Sequence, residues 1–144
     1  MPGPNGYKNE SLKMEDIELS IPYAITINAA NVKGEIKSDY NIYKKLYEKC
    51  FEIPGVKSKL LFEYSPIGRL HAHGTITFHQ IERIAEFYQN LFTLTKVATF
   101  KLDIINDKET WVNYCNKQRH IMKPFMNSQG LPSSLSSNIT DLDV

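Results

Sequence analysis

His71 and His73 stand two residues apart in the segment LHAHGTITF, residues 70–78, where apolar and polar residues alternate strictly. That alternation is the mark of a half-buried strand, and it sends both imidazoles out of one face with Thr75 and Thr77. Leu70, Ala72, Gly74, Ile76 and Phe78 form the opposite, apolar face. Such a pair can ligate a metal, or it can be two partly exposed strand histidines with no ligand. Glu63 interrupts the otherwise apolar KLLFEYS one short hairpin upstream, so strand pairing can bring its carboxylate close to both rings. Two imidazoles and a carboxylate give mixed N/O ligation with positions left for water and a phosphate oxygen. The set suits Mn²⁺ or Mg²⁺ in phosphoryl chemistry, and also Zn²⁺ or Fe²⁺. The plain alternative for Glu63 is a solvated strand residue.

Tyr114 and Lys117 share a helix face at their spacing of three. A tyrosine hydroxyl can attack a phosphodiester and form a phosphotyrosine, though its ordinary pKa of about 10 makes it a weak nucleophile. A nearby ammonium favours the phenolate or steadies charge building on the phosphate. The competing reading is an aromatic packed beside Trp111 in a core.

These groups need elements to hold them. Residues 22–28 alternate, with Tyr23, Ile25 and Ile27 against Ala24, Thr26 and Asn28. Residues 39–51 have helical spacing, Ile42, Leu46 and Cys50 lying beside Tyr43, Tyr47 and Phe51, until Pro54-Gly55 ends the run. Residues 59–65 return to period two and place Leu61, Glu63 and Ser65 together. Pro66-Ile67-Gly68 reads as the hairpin turn. A second helix would bury Ile81, Ile84, Ala85, Tyr88 and Phe92, and residues 97–104 read as a strand. Asn106 and Glu109 predict a capping box opening a third helix through Trp111, Cys115 and Met122. The order β-α-β-β-α-β-α implies an α+β fold, helices mainly on one sheet face and polar groups displayed on the other.

At 144 residues the chain suits one domain, expected over residues 21–125, with a flexible arm at 1–20 and a Ser-rich tail or linker at 126–144. Apolar residues at 42% and charged residues at 23% are a globular balance. A net charge of +1 requires any nucleic-acid binding to use locally grouped basic residues. Cys50 and Cys115 show neither metal spacing nor a disulfide framework. Without a membrane-spanning apolar run or a signal peptide, the protein reads as soluble and intracellular, and the glycosylation matches at Asn9 and Asn138 carry little weight.

Taken together, YAITIN, LHAHGTITF and NYCNK resemble, in order, the three motifs of the HUH endonuclease domain of the replication-initiator (Rep) proteins of small circular single-stranded DNA viruses and related plasmids. Glu63 falls eight residues before His71, where that family's metal-binding glutamate is expected. The resemblance spans about residues 21–124. It departs from the family in the small Ala72 and in the absence of a Gly-x-x-x-x-Gly-Lys-Ser/Thr loop, so the chain reads as a nuclease domain alone or a short form.

The resemblance implies an RRM/ferredoxin-like HUH fold with an antiparallel sheet of about five strands. It implies Mn²⁺ or Mg²⁺ on Glu63, His71 and His73, and attack by Tyr114, assisted by Lys117, on single-stranded DNA at an origin hairpin. The product would be a 5′-phosphotyrosine and a free 3′-OH able to rejoin the strand. Thr26, Asn28 and Arg69 are the expected DNA contacts, with Arg119, His120 and Lys123 as further phosphate candidates. A viral source would place the protein in the host nucleus, with homo-oligomers of a longer chain. Two rivals stand beside this reading. A phosphoesterase with two His-x-Thr motifs finds only His73-Gly74-Thr75, since His79 and His120 lack the threonine. A non-catalytic RRM-like nucleic-acid-binding module would set stacking aromatics where this face has His, Thr and Glu.

Overall fold

A computed structural model describes residues 11–29, 35–65, 68–94 and 98–132. The strands are β1 (Pro22–Ala29), β2 (Val56–Tyr64), β3 (Leu70–Phe78) and β4 (Ala98–Ile104). Helix α1 (Ile36–Leu46) continues into a wide π turn over Tyr47–Phe51, closed by Glu52 N–H donating to Tyr47 O, and Gly55 at φ +83 turns the chain into β2. Then follow α2 (Ile81–Leu94), α3 (Lys108–Asn116) and α4 (Arg119–Ser128).

The sheet order is β2-β3-β1-β4, every neighbouring pair antiparallel. With α1 between β1 and β2 and α2 between β3 and β4, this is the split βαβ arrangement of ferredoxin-like folds. Four strands are present among the described residues, not five. At the outer edge of β4, Leu12 N–H donates to Leu102 O and Leu102 N–H to Ser11 Oγ, contacts that blunt the edge without forming a strand.

One sheet face makes the main core. Ile25, Ile27, Leu60, Leu70, Ile76 and Phe78 pack there against Tyr43, Leu46, Phe51 and Phe87. The α1 stripe runs as its spacing predicts. The α2 stripe is rotated: Ile84 and Phe87 are buried, whereas Ile81 is 70% exposed and Ala85 lies outside. The side chain of Phe92 and residues 66–67 of the expected turn lie outside the described residues.

The single third helix is two. Its N-cap is Asp107, whose Oδ1 accepts from Thr110 N–H at 2.9 Å, in place of the expected box at Asn106 and Glu109. Helix α3 ends at Asn116, with Lys117 as its C-cap, and α4 sends Met122 and Met126 into the main core beside β2. Helix α3 crosses the other sheet face, where Trp111 and Cys115 bury Ala24 and Leu61, so that face is only partly open. Packing also exceeds the expected bounds of 21–125: Ile17 and Met126 are buried, and Leu12 and Leu131 pack on the core. Residues 1–10 and 133–144 lie outside the described part. No described helix is long and apolar enough to cross a membrane.

Candidate active site

Register assembles the site from three strands. On β3, His71 is opposite Glu63 of β2 and Asn28 of β1, while His73 is opposite Leu61 and Thr26. All of these leave the α3 side of the sheet. His73 is nearly enclosed, at 6% exposure, and both ring nitrogens are engaged. Nε2 lies 2.9 Å from Glu63 Oε2, and Nδ1 lies 3.1 Å from Thr26 Oγ1. The ring is thus held at both ends, between the Glu63 carboxylate and the Thr26 hydroxyl.

Helix α3 brings the second half. Trp111 Nε1–H donates to Gly74 O at 3.0 Å and anchors the helix to the middle of β3. Tyr114 stacks on Trp111, centroids 5.5 Å apart and planes 21° from parallel, and meets His73 edge-on at 5.3 Å. One turn on, Lys117 Nζ sits 3.5 Å from the Tyr114 ring centroid and donates to Glu63 Oε2 at 2.5 Å. Thus one carboxylate oxygen meets both a metal-type histidine and the lysine beside the tyrosine.

The electrostatics follow from these contacts. Burial pushes the Glu63 carboxyl up, but hydrogen bonds from His73 and Lys117 and their charges outweigh it and hold the group at about 2. Burial, helped by neighbouring His73, lowers His71, which favours the neutral ring that metals require. Tyr114 is raised, because burial and the Glu63 charge outweigh Lys117. Lys117 acts in the expected direction, its charge and hydrogen bond both lowering the phenol, but burial outweighs it while the ammonium is also bonded to Glu63.

Glu63, His71, His73, Tyr114 and Lys117 are brought together, and Thr26 joins them through His73. Asn28 borders His71, with a buried Oδ1 that has no hydrogen-bond partner among the described residues. Arg69 lies close enough to His71 for its charge to act on that ring, and its guanidinium forks onto fully buried Asp39 of α1, Nε to Oδ2 at 2.9 Å and the second nitrogen to Oδ1 at 3.0 Å. Arg119, His120 and Lys123 lie exposed on α4. Sequence reasoning did not find the role of Thr26 or of Gln118. A signal for Asp39 was present, since it is a carboxylate on the buried stripe of α1.

Among the described residues, no three of His, Cys, Asp and Glu enclose a cation as their side chains stand. The donor set nevertheless fits a hard divalent ion in chemistry. It offers an ionised carboxylate and two imidazoles on one face, with a cationic ammonium already drawn to the carboxylate. Compared with known proteins, the chain matches no family model, no curated protein and no solved structure.

Proposed function

We propose that the protein is a divalent-metal-dependent endonuclease that nicks and rejoins single-stranded DNA through Tyr114. The observation that carries this reading is convergence: Glu63, His73, Tyr114 and Lys117, from three separate elements, meet within contact distance on one face. Packing alone needs no such meeting of a carboxylate, an imidazole, a phenol and an ammonium.

In this reading Glu63, His71 and His73 hold Mn²⁺ or Mg²⁺, which when bound polarises a phosphate oxygen. Thr26 keeps the His73 ring in place, and Lys117, released from Glu63, neutralises charge on the phosphate beside Tyr114. The Tyr114 oxygen bonds to phosphorus as the bond to the 3′ oxygen breaks, and the phenol proton passes through water to that oxygen. A 5′-phosphotyrosine and a 3′-OH result. The 3′-OH can attack in turn and restore the strand, because the phosphoester bond is retained. The motif resemblance extends the proposal to an origin hairpin in rolling-circle replication, acting in the host nucleus if the source is viral. Asn28, whose buried acceptor beside His71 has no partner among the described residues, is the favoured DNA contact of the three expected.

The test is incubation with Mn²⁺ and a randomised pool of single-stranded oligonucleotides, followed by mass spectrometry. A DNA adduct on Tyr114 at the 5′ side of a cut is expected. Persistent absence of any adduct across the pool, with metal bound, would sink the proposal.

A further inference from the structure

Gln118 sits where α3 ends and α4 begins, with φ −109 and ψ 7, outside helical geometry. Its side chain does something that an exposed junction does not need. Strand β2 is an edge strand of the sheet, so alternate backbone groups on its free side have no ladder partner among the described residues. At Tyr64 the Gln118 amide takes both: Tyr64 N–H donates to Oε1 at 2.7 Å, and Nε2 donates to Tyr64 O at 3.2 Å. One side chain thereby reproduces a rung of a β ladder. Gln118 O accepts from Ile121 N–H and Met122 N–H and so starts α4.

Consecutive residues meet consecutive residues: Lys117 meets Glu63 and Gln118 meets Tyr64. The clamp therefore sets where the end of α3 stands relative to the carboxylate strand. Tyr114, one turn before Lys117, inherits that placement. We infer that Gln118 is a positioning residue, holding Tyr114 and Lys117 over Glu63 by pinning the α3–α4 junction to the β2 backbone at Tyr64. This rests on the nuclease reading above.

The residue type follows from the task. A primary amide supplies the donor and the acceptor that a backbone amide pair requires. Glutamate keeps the acceptor for Tyr64 N–H but sets a carboxylate against Tyr64 O. Asparagine is one methylene short. The fold does not depend on the clamp alone, because Met122 and Met126 bury in the main core and Phe125 packs on the Tyr64 ring at 4.7 Å. A Gln118 variant should therefore fold and bind metal and DNA while its nucleophile wanders.

The experiment compares wild type, Gln118→Ala and Gln118→Glu in single-turnover cleavage of a single-stranded oligonucleotide with Mn²⁺. Oligonucleotide and Mn²⁺ affinities and amide exchange at Tyr64 are measured alongside. For Gln118→Ala we expect the cleavage rate to fall roughly 10- to 100-fold, the scale for a nucleophile displaced by about 1 Å, while both affinities hold. Tyr64 exchange should accelerate, and Gln118→Glu should recover part of the rate through the retained acceptor. An unchanged rate, unchanged Tyr64 exchange, or a rate loss matched by lost metal or DNA affinity overturns the inference while leaving the nuclease reading intact. An inert wild type that binds both ligands overturns the nuclease reading, and the positioning role falls with it.

Discussion

Lys117 Nζ and Glu63 Oε2 lie 2.5 Å apart, so the lysine occupies an oxygen that a metal on Glu63, His71 and His73 would need. On the proposed nuclease reading, metal and lysine would compete for one carboxylate. Lys117→Met should therefore tighten Mn²⁺ binding while lowering cleavage, since the phosphate loses its ammonium. The pair is partly exposed, with Lys117 36% accessible, so relief of the competition should give about a two- to fivefold gain in affinity. Calorimetric titration reads the change directly. Weaker Mn²⁺ binding in the variant would show that Lys117 does not compete with the metal.

Tyr114→Phe separates chemistry from packing. The ring contacts with Trp111, His73 and Lys117 survive the substitution, and only the hydroxyl is lost. Thermal stability and Mn²⁺ affinity should stay near wild type, while the covalent DNA adduct disappears from denaturing gels. An adduct that persists in the Phe protein assigns the nucleophile to another residue.

The strands were legible because apolar residues line the main-core face of each, so period two is written plainly in residues 22–28 and 70–78. The same alternation put Glu63, His71 and His73 on one surface, and helical spacing paired Tyr114 with Lys117. What escaped was set by partners distant in sequence. Helical spacing runs on through Lys117-Gln118, and the break there accompanies the reach of Gln118 to Tyr64 across 54 positions. The carboxylate that Arg69 holds, Asp39, lies 30 positions upstream on α1 and out of reach of local spacing. The phase of the α2 stripe was missed because Phe87, not Ala85, meets the sheet. Local spacing therefore revealed which residues share a face, and tertiary contacts decided which neighbours they hold.

Arg69→Met should act on stability rather than on DNA. It leaves the Asp39 carboxylate at 0% exposure without its forked partner, and removing one member of a buried pair costs about 3 kcal/mol. The double variant Asp39→Asn/Arg69→Met should recover part of that loss, because no charge is then stranded. Urea unfolding of the four proteins tests the cycle. An Arg69 variant of native stability with weakened DNA binding would return this residue to the DNA interface.

Gly74→Ala tests the strand that carries both histidines. A Cβ at Gly74 would lie 1.7 Å from Lys59 O, so β2 and β3 would have to part where Trp111 bonds to Gly74 O. Elsewhere Gly→Ala stabilises by up to about 1 kcal/mol through the unfolded chain. Here the loss should be roughly 4 kcal/mol or more, with Mn²⁺ binding lost as well. A native unfolding midpoint in the Ala protein would refute the close approach.

Tyr88 supplies a pH test well away from the site. Its hydroxyl donates to Leu12 O at 2.7 Å and ties the segment before β1 to α2. Burial, with Asp16, Tyr23 and Glu15 adding to it, pushes the phenol up to about 12 from an ordinary 10. The fold thus favours the neutral phenol. Its contribution is present in full below pH 10, where both folded and unfolded chains are protonated, and is lost as pH climbs from 10 through about 12. Tyr88→Phe lacks the hydrogen bond, so at neutral pH it should be about 1 kcal/mol less stable than wild type. It also lacks the ionisation, so its stability should decline less across that alkaline range and the two curves should converge. Chemical denaturation at a series of pH values measures the gap, and a gap constant from pH 9 to pH 12 would mean that Tyr88 is not held neutral by the fold.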